Sequence, residues 1–164
     1  MARRGKMSPG SVFAVDLGAL GYAFGILAAG NDVAFLDLLR PEIPDLATIS
    51  ASKVLFRTYV AKDGLASGQW KIVGSIPLKD ELQEPAGYRN QPVGSNKLFI
   101  YKAKQTMPAS FDEAKDLEPL VTWFTSHIEE RLRDHFEGRS NKAFEFLNRI
   151  KKYHPETGQE IHDD

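Results

Sequence analysis

Residues 53–78 read KVLFRTYVAKDGLASGQWKIVGSIPL, two β-type runs either side of a short glycine-bearing connection. The first run is rich in β-branched and aromatic residues, which suits a pleated, half-buried surface. Asp63-Gly64 and Ser67-Gly68 carry turn chemistry, because glycine tolerates positive φ. In the second run Trp70, Ile72, Gly74 and Ile76 alternate onto one face, with Lys71 and Ser75 on the other. Such a segment builds a barrel or a sandwich, and nothing in it has the form of a catalytic loop.

The same alternation runs upstream. Residues 11–17, 21–28 and 32–39 read as successive strands turning at Gly18, Gly21, Gly30 and Asn31. The third run is apolar on both faces, Val33 and Phe35 on one and Leu36 and Leu38 on the other, which places it centrally. Pro41 and Pro44 end the meander, and Asp45 is positioned to cap a helical turn through Ile49. Residues 79–95, with Pro85, Gly87, Pro92 and Gly94, read as a long surface loop and a candidate binding element. Residues 97–102 return to strand.

The last third changes character. Ser110-Phe111-Asp112-Glu113 is a capping box opening a short helix, and Pro119 interrupts any longer one. Residues 120–124 have strand propensity. Ser126-His127-Ile128-Glu129 repeats the capping pattern, and its helix runs to about Glu137, with Gly138 as the left-handed stop. Ile128, Leu132 and Phe136 form its inward stripe. Ser140 is expected to cap a final helix over 141–153, followed by a polar, frayed end. The expected fold class is α+β, a mainly antiparallel, strongly bent, barrel-like sheet with C-terminal helices packed at one end. Residues 1–10 read as a basic tail, 11–153 as a single domain and 154–164 as a polar tail.

The chain has 164 residues and no cysteine. That excludes disulfides and thiolate metal sites, and it suits a reducing cytoplasm. Arg3, Arg4 and Lys6 precede the apolar-looking stretch 12–30 in the manner of a signal peptide, but Asp16, Gly18 and Gly21 break it into a strand pattern. No stretch has the length of a membrane span. The formal net charge is −1, yet residues up to Gln105 are mildly basic and those from Thr106 onward acidic.

Candidate chemistry is sparse. All four histidines, His127, His135, His154 and His162, lie in the last third. His127 and His135 are eight residues apart, not at the four-residue spacing of a helical metal clamp, so no metal or cofactor is expected. Glu129-Glu130 and Asp112-Glu113 are adjacent acids, which diverge by about 100° on a helix and cannot converge on one atom. No nucleophile elbow or phosphate-binding glycine pattern is present, so no catalysis is expected. Trp70 and Trp123 read as core residues whose indole N–H needs an acceptor. Aromatics beside cations (Phe56-Arg57, Tyr59, Tyr88-Arg89, Tyr101-Lys102) offer an alternative, a small barrel that binds nucleic acid or a small ligand. The near-neutral balance argues against nucleic acid as the main partner.

Taken in order, GSVFAVDL, GYAFGILAAG, DVAFLDLL, KVLFRTYV, SGQWKIVGSIPL and HIEERLRDHFEGRSNKAFEFL resemble the immunity protein 26 family of bacterial polymorphic toxin systems. The most specific pieces are Ser67-Gly68-x-Trp70, Gly74-x-Ile76-Pro77-Leu78, and the Arg131 to Phe136 run ending at Gly138. The segment after Leu82 and the stretch 149–164 depart from the pattern. The resemblance implies a non-enzymatic cytoplasmic protein that binds a cognate toxin protein and blocks it sterically and stoichiometrically. For a nuclease toxin with a basic cleft, the expected contact is the acidic last third, through Asp112, Glu113, Asp116, Glu118, Glu129, Glu130 and Asp134.

Overall fold

The computed structural model describes residues 7–162. Arg3, Arg4 and Lys6 of the expected basic tail lie outside them, as do Asp163 and Asp164. The first half contains β1 (Ser11–Asp16), β2 (Tyr22–Leu27), β3 (Val33–Leu36), α1 (Leu46–Ser50), β4 (Val54–Val60), α2 (Lys62–Ala66) and β5 (Lys71–Ser75). Next come α3 (Asp80–Gln83), β6 (Tyr88–Asn90), β7 (Leu98–Lys102), β8 (Gln105–Ala109) and α4 (Phe111–Ala114). Then follow β9 (Thr122–Trp123), α5 (Thr125–Phe136), α6 (Lys142–Asn148), β10 (Lys152–Tyr153) and β11 (Glu160–Ile161).

The main sheet has the order β5-β1-β2-β3-β4-β9. Its pairs are antiparallel except β4 with β9, which run parallel. A second sheet, β6-β7-β8, and the small β10-β11 pair complete the set among the described residues. The α+β class and the predominantly antiparallel sheet are as the sequence predicts. The sheet is bent but does not close into a barrel. A closed barrel of this size turns one face to water, whereas β1 to β3 are apolar on both faces and need cover on both.

Two cores provide that cover. On one face Phe13, Val15, Val33 and Phe35 pack with Trp70, Trp123, Ile128 and Leu132, so α5 roofs the sheet. On the other, Val12, Ala14, Phe24, Ala34 and Leu36 pack with Ile49 and Leu82 of α1 and α3. Both cores run through β1–β3, and this fixes β3 as the interior strand that its sequence suggests.

Bulges do the bending. Val12 lies opposite Gly74 and Phe13 opposite Ile72, so Val73 is the extra residue in β5. Leu36 lies opposite Val54 and Phe35 opposite Phe56, so Leu55 is the extra residue in β4. The first bulge splits the face expected of β5. Trp70 joins the α5 side, while Val73 and Ile76 pack on the α1 side.

Several boundaries differ from the sequence reading. Residues 79–95 are not a surface loop throughout, because α3 and β6 lie inside them and Tyr88 and Arg89 are buried. β8 was not expected, since Pro108 disfavours a strand and the turn before it lacks glycine. That turn instead holds Ala103 and Lys104 at φ 52° and 63°, the left-handed pair of a tight hairpin. The capping box at Ser126 does not form. α5 starts two residues earlier with Phe124 at its N-cap position, and Thr125 Oγ1 donates to Gln69 Oε1 at 2.9 Å. The last helix is capped by Asn141, whose Oδ1 accepts from Phe144 N at 2.8 Å, and not by Ser140. It stops at Asn148, and β10 and β11 replace its expected final turns and the frayed end. The capping box at Ser110 and the stop at Gly138, φ 76°, are formed as predicted.

Candidate functional site

Three arginine-centred clusters tie the segments of the fold together. Asp32, at the β2–β3 turn, is 1% exposed and receives both Nε and Nη2 of Arg57, at 2.9 and 3.0 Å. The remaining Arg57 nitrogen donates to the carbonyls of Glu81 and Glu84, at 2.9 and 3.0 Å, so one guanidinium also anchors α3. Tyr88 donates its hydroxyl to Asp32 and stacks on Tyr59. Burial, reinforced by the Asp32 carboxylate, pushes the Tyr88 hydroxyl far above its ordinary range. Tyr88 is also 1% exposed, so no solute reaches this hydroxyl and carboxylate. The cluster is a clamp between sheets, not a reaction centre.

Arg89 does similar work for the last third. Its guanidinium donates to the carbonyls of Lys115 and Leu117 and to both oxygens of Asn148. Burial lowers its pKa, against the raising effect of Glu118. Arg131 projects from α5 with its guanidinium 3.6 Å from the Phe56 ring centre and 3.9 Å from that of Phe144. It pairs with Glu118 through two hydrogen bonds, at 2.6 and 3.2 Å. A cation held between two rings and a carboxylate is well satisfied, so this is a packing joint between α5, α6 and β4.

The seven acids of the expected contact divide by what holds them. Glu118 serves Arg131. Asp134 bonds Arg139 and Asn141. Glu113 closes the Ser110 capping box, whose hydrogen bonds lower its pKa. Asp112 is exposed and pairs with Lys115 at 3.4 Å. Asp116 and Glu130 are exposed, and Glu129 is half-buried. With Asp112 tied to Lys115, the charge available to a partner rests on Asp116, Glu129 and Glu130.

An exposed aromatic, which the sequence places in a strand, opens the helix that carries Glu129 and Glu130. Phe124 is 64% exposed at the start of α5, with the His127 ring against it. Position 124 precedes the helix, and its exposure follows from the early helix start, which turns Trp123 inward and Phe124 outward. Only the preference of the neighbouring residues for alternation hinted at this.

His135 Nε2 lies 3.1 Å from Asp37 Oδ1, and His162 Nδ1 lies 3.9 Å from Glu160 Oε1. Among the described residues no group of three or more potential metal ligands comes together. Trp70 and Trp123 are core residues as expected, but neither buried indole N–H meets a hydrogen-bond acceptor. Of the basic and aromatic set read for nucleic acid, Arg57, Tyr88 and Arg89 are turned to internal partners. No helix of the described residues is long and apolar enough to cross a membrane.

Comparison with known proteins gives one family. No curated protein and no solved structure matches the chain. The profile of Immunity protein 26 matches residues 8–98, from just before β1 to the start of β7. The match includes the Ser67-Gly68-x-Trp70 and Gly74-x-Ile76-Pro77-Leu78 pieces, while the Arg131 to Phe136 piece lies beyond it. It spans more than half of the chain and most of the main sheet, and the chain belongs to the Immunity protein 26 family.

Proposed function

We propose that this protein protects a cell by binding a cognate toxin directly, one to one, and covering its working surface. Membership of the immunity family carries the reading. The arrangement of polar groups supports it, because the best-formed clusters, around Asp32 and Arg131, are spent on holding segments together. The contact we assign is the outer surface at the start of α5. There the exposed Phe124 supplies an apolar anchor, and Glu129 and Glu130 supply charge for a basic toxin such as a nuclease. A standard interface buries about 800 Å² per partner, which one side of such a domain can provide. We assign it to the cytoplasm, where a chain without cysteine loses nothing to reducing conditions.

The test is to co-express the chain with the toxin-like product encoded beside it. Protection of the host cell and recovery of a one-to-one complex are expected. If the chain neither protects nor co-purifies with any neighbouring toxin, the reading fails. Titration with single-stranded DNA and RNA at two salt concentrations checks the rival. Tight binding that weakens steeply with salt would favour a nucleic-acid role instead.

A further inference from the structure

A groove of about 620 Å³ lies between the β7–β8 hairpin and residues 150–152. Its lining is apolar at Leu98, Phe99, Pro108, Phe111 and Ile150, and cationic at Lys97, Lys151 and Lys152. We infer that it is a peptide-binding groove for an acidic, aromatic-bearing segment of a partner protein. It rests on the neutralising reading only for which protein owns that segment.

The groove is held open by side chains that stand in for a strand. Gln91 Nε2 donates to the Lys151 carbonyl at 2.7 Å, and Lys151 N donates back to Gln91 Oε1 at 2.9 Å. Asn96 repeats the pattern on Tyr153, at 2.7 Å in each direction. Two backbone groups of Lys151 in the wall, and two of Tyr153 just beyond it, are thus fixed before any partner arrives, which lowers the ordering cost of binding. The size falls in the range of ligand pockets, roughly 300–1,000 Å³. Phe111, in the lining, is 58% exposed and offers an apolar surface at the rim.

Charge complementarity selects the occupant. The cationic groups the inference uses are Lys97 and Lys151, point charges on flexible stems that suit carboxylates arriving in varied geometry. The nearest acids on α4 are engaged, Asp112 with Lys115 and Glu113 in the capping box. They would still repel a phosphate backbone laid past the groove, and the net charge of −1 disfavours an extended polyanion. An apolar residue on the floor with carboxylates at the rim uses every part of the lining. Apart from residues 96–98, that lining falls outside the family match, as a feature particular to this protein's own partner would.

The experiment titrates the full chain with an acetylated Glu-Glu-Trp-Glu-Glu peptide and its Lys-Lys-Trp-Lys-Lys counterpart, following backbone amide shifts by NMR. Saturable shifts at Leu98, Phe99, Ala109 and Ile150 with the acidic peptide alone are expected. The double variant Lys97→Glu with Lys151→Glu should weaken binding about tenfold or more. If that variant is misfolded by circular dichroism, Phe111→Ser, at an exposed position, should weaken binding similarly. Equal response to both peptides, shifts elsewhere, or none at millimolar peptide overturns the inference. So does tighter binding of oligothymidylate, or a dimer forming through the groove as protein concentration rises. Where a toxin complex is recovered, the double variant should dissociate about tenfold faster, and an unchanged rate would remove the toxin as owner of the segment. Failure to recover any complex sinks the neutralising reading while the peptide titration still decides the groove.

Discussion

Arg131 would pass in a sequence for one more surface cation of an amphipathic helix, yet it is buried between Phe56 and Phe144 and paired with Glu118. Removing the carboxylate leaves the guanidinium without its partner, so Glu118→Gln should lower unfolding free energy by roughly 1.5–3 kcal/mol, read from urea denaturation. A loss below a few tenths would mean that the rings alone satisfy the cation. Tyr88 gives a different signature. Its folded-state pKa is raised above the ordinary 10.0, chiefly by burial and then by Asp32. A raised pKa contributes stability that is complete below pH 10 and is lost as pH climbs above it. The urea midpoint should therefore fall between pH 9 and pH 11, and Tyr88→Phe should flatten part of that fall. An identical fall in the variant would assign the alkaline loss to other groups, Tyr59 first among them, since its pKa is also raised by burial.

At the scale of elements, the β1–β2 connection depends on a backbone that only glycine accepts readily. Gly21 sits at φ 110°, ψ −152°, and a Cβ there would stand 2.5 Å from the Arg40 carbonyl oxygen. Tyr22 and Arg40 exchange both backbone hydrogen bonds at this point, at 2.7 and 3.0 Å, so the chain cannot simply move aside. Gly21→Ala should cost at least about 1–3 kcal/mol from backbone strain, with the clash added to it. Thermal unfolding measures this, and an unshifted midpoint would show that the Tyr22–Arg40 bridge yields freely. The ends of α5 and α6 carry the same lesson. Asn141 Nδ2 donates to Asp134 Oδ2 at 2.9 Å while its Oδ1 caps α6, so one side chain sets both the start of a helix and its angle to the last. A serine one position earlier has the cap chemistry but not that second partner.

For the molecule as a whole, steering and holding are separate tasks. Among the described residues Glu129 and Glu130 make no ion pair, so Glu129→Lys with Glu130→Lys should slow association with a basic toxin about tenfold at low salt. Thermal stability should stay close to wild type, since neither residue holds another element. Stopped-flow association at two salt concentrations reads the effect, and an unchanged rate would move the contact away from α5. Asp134 is left intact in that variant because Arg139 and Asn141 depend on it. The sequence by itself determined the α+β class, the first five strands, the interior place of β3, the Ser110 cap, the Gly138 stop and the family. Each of these rests on local periodicity, on backbone chemistry within a few residues, or on the order of short motifs. Only the tertiary structure decided the face switches at Val73 and Leu55, because a bulge is set by the partner strand and leaves alternation in its own strand unmarked. It alone separated Glu118 and Asp134, spent on arginines and Asn141, from Glu129 and Glu130, since the availability of a charge depends on its neighbours in space. It also turned Tyr88 and Arg89 inward, because their partners, Asp32 and Asn148, lie 56 and 59 residues away along the chain.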